Sequence, residues 1–210
     1  MKKSEPMVLT ISRQLGSGGA YIGHHLAAKL KFYYADREIV SRAARELEVL
    51  EEDLASRDEK TLSFWETFLQ FNSYASEIYV PPIPEQRFFP TDLELFETEK
   101  RIIEKIAGRR SVIVMGRCGF DIFRGNPNHV SLFLHADRAF RIERIRKLYR
   151  VSDDEAARMM AQSDRDRASY IKTFTRKDWH DAGNYDLSVN TGRIGVDNAL
   201  DLITDYLDML

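Results

Sequence analysis

The sequence predicts an α/β fold of three layers, a five-stranded parallel sheet with helices on both faces. Short apolar runs of strand length recur near residues 7–11, 32–35, 111–115, 130–134 and 185–189, and segments with apolar residues three and four apart lie between them. Two of the runs, 111–115 and 130–134, are apolar almost without interruption, as expected of strands covered on both sides.

The first run is bounded by Pro6 and by the cluster Gly16, Gly18 and Gly19, so it reads as a buried strand ending in a tight loop. Ile22, Leu26 and Leu30 then give one apolar stripe of a helix, and Phe32-Tyr33-Tyr34-Ala35 returns as a second strand. Strand, loop, helix and strand in this order open a parallel sheet. Ile39, Val40, Ala43 and Leu47 keep helical spacing.

Residues 57–96 read as an inserted segment within a single domain spanning 1–210. From Phe64 to Phe96 it is dense in aromatic residues; Phe64, Trp65, Phe68 and Phe71 have helical spacing, whereas the part holding Pro81, Pro82, Pro84 and Pro90 cannot be a regular helix or central strand. Its aromatic surface suits core packing or a homodimer contact. Helix is expected again from about Thr91 to Ala107, with Phe96, Ile103 and Ile106 on its buried side. Gly116-Arg117-Cys118-Gly119 follows a strand, at the end where open α/β sheets bind ligands. A basic helix follows Asp137, and Ser152-Asp153-Asp154-Glu155 has the form of a capping box. Residues 151–182 are expected to form a lid-like segment, with Arg165 and Arg167 beside a flexible helix junction. The last strand turns at Asn190-Thr191-Gly192, and Val196, Leu200, Ile203 and Leu207 mark the core face of a final helix.

Composition excludes several classes. The 210 residues carry 31 basic and 33 acidic side chains, a net charge of −2, so the chain is not a polycation built to coat nucleic acid. The lone Cys118 forms no internal disulfide, and the apolar run after Pro6 is too short for a signal peptide or a membrane span. A cytoplasmic protein without a membrane partner is the expectation. His24, His25, His129, His135 and His180 show no metal-ligand spacing, and no metal site is assigned.

The motif richest in chemistry is Ser12-Arg13-Gln14-Leu15-Gly16-Ser17-Gly18-Gly19, between a strand and a helix. Glycines there let backbone N–H groups line a concave nest, and the helix N-terminus adds partial positive charge, which suits a phosphate. A plain glycine-rich turn is the alternative. Against the usual P-loop pattern G-x-x-x-x-G-K-[ST], Arg13 replaces the first glycine, Gly19 the lysine and Ala20 the hydroxyl residue. Arg165 and Arg167, with Asp164, are either phosphate clamps or pairs on a solvated helix face. Asp36, after the second strand, is either an acceptor-side carboxylate or a helix N-cap.

The stretch 9–19, Leu-Thr-Ile-Ser-Arg-Gln-Leu-Gly-Ser-Gly-Gly, with Asp36 after an aromatic strand, resembles the opening of the cytidylate-kinase-like family. The resemblance continues through Val112-Ile-Val-Met-Gly-Arg-Cys118, Val130-Ser-Leu-Phe-Leu-His-Ala-Asp137, Asp164-Arg-Asp-Arg167 with Tyr170, and Tyr185-Asp-Leu-Ser-Val-Asn-Thr191. Residues 64–96 match no motif of true cytidylate kinases. The resemblance implies a P-loop kinase fold and transfer of the ATP γ-phosphate, with Mg²⁺, to CMP or a related small acceptor. Gly16, Ser17, Gly18 and Gly19, with Arg141 and Arg144, would bind the donor nucleotide. Arg13 would supply the missing lysine's charge, Asp36, Arg117 and Asp164 would face the acceptor, and Arg165 and Arg167 would act in catalysis as the lid closes. Two other readings stay open: a nucleotide-binding module with a decayed centre, and a kinase of a non-nucleotide acceptor.

Overall fold

Parallel pairing in the strand order β2-β3-β1-β4-β5 organises the molecule. The computed structural model describes residues 5–36 and 91–210. In chain order the elements are β1 (Val8–Arg13), α1 (Gly19–Leu30), β2 (Tyr33–Ala35), α2 (Thr91–Ala107), β3 (Val112–Met115), α3 (Gly119–Ile122), β4 (His129–His135) and α4 (Arg138–Tyr149). They continue with α5 (Asp153–Thr175), a 3₁₀ turn (Ala182–Asn184), β5 (Leu187–Asn190), α6 (Thr191–Ile194) and α7 (Val196–Asp208). The chain divides into two compact units, Met1–Tyr34 with Ala107–Leu210, and Ala35–Ile106. In the second unit, α2 buries Phe96, Ile103 and Ile106, the face its periodicity predicts. Most of the segment 57–96, with its suggested dimer contact, and the helical spacing at 39–47 lie outside the described residues.

Within the first unit, β1 pairs in parallel with β3 through Leu9↔Ile113 and with β4 through Ile11↔Leu132, and β4 pairs with β5 through Leu134↔Val189. Side chains alternate across a strand, so these positions share one face. That face packs on Ile22 and Leu26 of α1 and on Ala199, Ile203 and Leu207 of α7, all buried. The other face carries Thr10, Ser131 and Phe133; α3 reaches it at Gly119, where an added Cβ would lie 2.9 Å from the Thr10 side chain. The connections leaving β1 and β3 run in opposite directions across the sheet. The C-terminal ends of β1, β3 and β4 therefore border the crevice in which open α/β sheets bind ligands.

Three details differ from the sequence expectation, each for a local reason. β1 runs on to Arg13, because Ser12 and Arg13 still pair with Phe133 and Leu134. Asn190 does not turn a loop: its side chain accepts from the amides of Gly192 and Arg193 and caps the short helix α6. No junction lies beside Arg165 and Arg167, which sit inside the unbroken 23-residue α5. The N-cap half of the capping box forms, Ser152 Oγ accepting from the Glu155 amide at 3.2 Å.

His129 gives the fold a pH dependence. It opens β4, with Nε2 2.8 Å from the Thr10 hydroxyl, and burial lowers its pKa from 6.5 to about 4. The unfolded chain thus takes up this proton first, and stability falls as pH drops from 6.5 towards 4, then levels off. The loss over that window is about 3 kcal/mol. Urea titrations at stepped pH are expected to show this slope in the wild type and a shallower one in His129→Gln; equal slopes contradict the assignment.

Candidate functional site

The site is built at the end of β1. Gly16 and Gly18 adopt φ of +83° and +82°, the left-handed region that glycine enters without cost. At Gly16 a side chain has no room, since a Cβ would stand 2.8 Å from the Arg141 carbonyl oxygen; at Gly18 it would stand 2.9 Å from Val196. Gly18 is the N-cap of α1 and offers no side chain to the first-turn amides, which have no carbonyl of their own helix to bond.

The loop's carbonyls are the groups the protein holds. Gln14 O accepts from the Ser17 amide at 3.3 Å and from Ser17 Oγ at 2.8 Å. Leu15 O accepts from Arg141 Nε at 2.7 Å, and Ser17 O from the buried Thr191 hydroxyl at 2.7 Å. In a planar trans peptide the C=O and the following N–H point in opposite directions. Anchoring these three carbonyls in protein therefore turns the amides of Leu15, Gly16 and Gly18 the other way. Among the described residues the amides of Gly16, Gly18 and Gly19 have no carbonyl partner. Outward amides beside a helix N-terminus are the arrangement that binds phosphate.

Arginines surround the loop. Arg141 is 5% exposed and makes a 2.5 Å ion pair with Asp164 of α5 while holding Leu15. Arg167, one turn further along α5, donates to the Arg13 carbonyl at 2.6 Å. Enclosure of its guanidinium, then the nearby charge of Arg13, lower its pKa to about 9, against the opposing pull of Asp164. It remains a cation at neutral pH. Asp164 Oδ1 is buried without a hydrogen-bond partner.

Arg13 itself crosses the site. A Cβ on Gly19 would lie 2.7 Å from Arg13 Cβ and Cγ, and one on Gly116 only 2.5 Å from Arg13 Nη1. Its side chain thus runs from the start of α1 to the exit of β3, and glycine at both places makes room for it.

At the exit of β3, Gly116, Arg117 and Cys118 take φ of 75°, 51° and 55° in succession. For the two non-glycine residues this costs about 1–2 kcal/mol each. The turn places Arg117 against Tyr170 of α5, donating to its hydroxyl at 3.1 Å with the guanidinium 5.4 Å from the ring centre.

The structure thus brings Arg13, Gly16, Ser17, Gly18, Gly19, Arg141, Asp164 and Arg167 together, with Arg117 joined to α5 through Tyr170. Arg165 is exposed and bonds Gln162 on its own helix, away from this group. Arg144 is half-buried, with a charge effect on Tyr21 in the first turn of α1. Asp36 directly follows β2 and belongs to the second unit. The grip of Thr191 on Ser17 has no local signal, since it reaches across 174 residues. Among the described residues the donor set does not fit a protein-held magnesium. Ala20 stands in the hydroxyl position, the Ser17 hydroxyl is fully buried, and among the described residues no three His, Cys, Asp or Glu side chains gather as a metal site.

A model of the cytidylate kinase-like family matches residues 8–193. Among solved structures, an uncharacterized protein from Eubacterium ventriosum ATCC 27560 superposes with a TM-score of 0.71 at 22% identity, covering 96% of this chain and 98% of that one. TT1252 from Thermus thermophilus gives 0.50 at 15% identity, with 97% and 98% covered. These likenesses concern the fold. No curated protein matches the chain.

Proposed function

The chain belongs to the cytidylate kinase-like family, and from that premise we propose that it is a phosphotransferase moving the γ-phosphate of ATP to CMP or a related small acceptor. The observation that carries the reading is the loop of residues 14–19, its carbonyls held in protein and its amides turned out, with Arg13 reaching from it to Gly116. The amides of Gly16, Gly18 and Gly19 receive the donor phosphates, with Arg144 beside the first turn of α1. Arg13 lies where charge develops as the phosphoryl group leaves ADP. Arg117 addresses the acceptor. Arg141, Asp164 and Arg167 set the loop, and Arg165 would join only if α5 shifts. An acceptor phosphate is already an anionic nucleophile, so its oxygen attacks the γ-phosphorus, the bond to the β-bridging oxygen breaks, and ADP leaves.

Absence of the P-loop lysine and hydroxyl favours a second reading, a nucleotide-binding module without turnover. Among the described residues no helix is long and apolar enough to cross a membrane. A coupled ADP-release assay against nucleoside monophosphates and non-nucleotide hydroxy acids decides. Turnover with CMP or another pyrimidine monophosphate is expected. Turnover confined to a hydroxy acid moves the acceptor class, and ATP binding with no ADP release on any acceptor selects the module.

A further inference from the structure

In the usual P-loop, a lysine and a hydroxyl-held magnesium neutralise the phosphates of the bound nucleotide. Here both residue types are replaced, by Gly19 and Ala20. The loop's own hydroxyl is not at hand: Ser17 is 0% exposed, its side chain turned into the protein towards Gln14 O. Nor is Asp164, whose one oxygen pairs with Arg141 and whose other is enclosed among Arg141, Arg167 and their neighbours. A divalent cation there would face two guanidinium groups at close range, and like charges repel strongly where water is excluded.

The positive charge that the site does have is fixed to the chain. Arg13 spans from Gly19 to Gly116, its carbonyl is gripped by Arg167, and Arg141 sits behind Gly16. Guanidinium forks match phosphate oxygens in a bidentate way and are not released with the nucleotide, as a metal ion is. A metal-free polyphosphate also carries more negative charge than its magnesium complex, and so gains more from such a site.

We propose that this chain binds nucleotide polyphosphate through loop amides and Arg13, with no ligand to magnesium among the described residues, so that metal-free ATP binds as tightly as the magnesium complex or more tightly. The proposal rests on the reading of residues 14–19 as the ATP site. It is tested by calorimetric titration of the full chain with ATP, once in excess Mg²⁺ and once in EDTA. The expected result is a Kd in EDTA no more than about threefold weaker than in Mg²⁺; a loss of about tenfold or more, 1.4 kcal/mol, overturns the proposal while leaving the ATP site in place. No ATP binding in either condition overturns the site itself. In Arg13→Met, metal-free ATP is expected to lose more affinity than the magnesium complex, whereas Arg13→Lys, which keeps the charge, stays indifferent to metal. Equal losses for both forms of ATP in Arg13→Met contradict the part assigned to Arg13.

Discussion

Gly16→Ala is expected to unfold at lower denaturant and to bind ATP at least about tenfold more weakly. Two costs combine at this position. An alanine at φ +83° is strained by about 1–2 kcal/mol, and its Cβ would press 2.8 Å from the Arg141 carbonyl, where backbone cannot step aside, for about 1–3 kcal/mol more. Together they amount to about 2–5 kcal/mol. Pushing Arg141 back also loosens its grip on Leu15 O, and with it the aim of the Gly16 amide. Gly125→Ala is the matched control: φ is +89°, yet nothing lies within 4 Å of its Cβ. It should cost only the backbone strain, about 1–2 kcal/mol, and leave ATP affinity unchanged. If the two variants behave alike in urea unfolding and in ATP titration, crowding against Arg141 has no part in the site.

Arg141→Met is expected to lose about 3 kcal/mol of stability, the lower end for breaking a buried ion pair, since Asp164 keeps 21% of its side-chain exposure. The loss arises because Asp164 and the Leu15 carbonyl are both left without their donor. Replacing the pair by apolar groups, Arg141→Met with Asp164→Leu, should restore part of the stability, because the two paired charges leave together, while Arg167 loses the pull of Asp164. ATP affinity should stay low in the double variant, since Leu15 O is still unheld and Gly16 N–H is free to turn. This split between recovered stability and unrecovered binding marks Arg141 as a positioning residue. Parallel recovery of both would reduce it to a structural ion pair.

Much of this was legible in the sequence, because apolar runs, helical spacing and glycine clusters are local signals. All five strands lie where apolar runs predict them, and the glycine loop joins β1 to α1. The β order and the anchoring of the loop were not legible. Arg167 grips the Arg13 carbonyl across 154 residues, and Thr191 grips Ser17 across 174. A side chain bonding a backbone carbonyl leaves no pattern in either segment. One distinction was available and depends on helical geometry alone: Asp164 and Arg167 are three residues apart and share a face, whereas Arg165 lies on another. Grouping Arg165 with Arg167 presumed a break in α5 that its unbroken hydrogen-bonded course does not contain. The run Gly116, Arg117, Cys118 likewise looked like a simple strand-end turn, since nothing in two non-glycine residues announces positive φ.

Amide-resolved NMR during addition of ATP to the isotopically labelled chain bears most directly on the phosphate cup. The amide resonances of Gly16, Gly18 and Gly19 should move together and saturate at one ATP concentration, ahead of any shift in residues of α7 remote from the loop. If ATP binds while these three amides keep their positions, its phosphates lie elsewhere, and the account of this site is wrong.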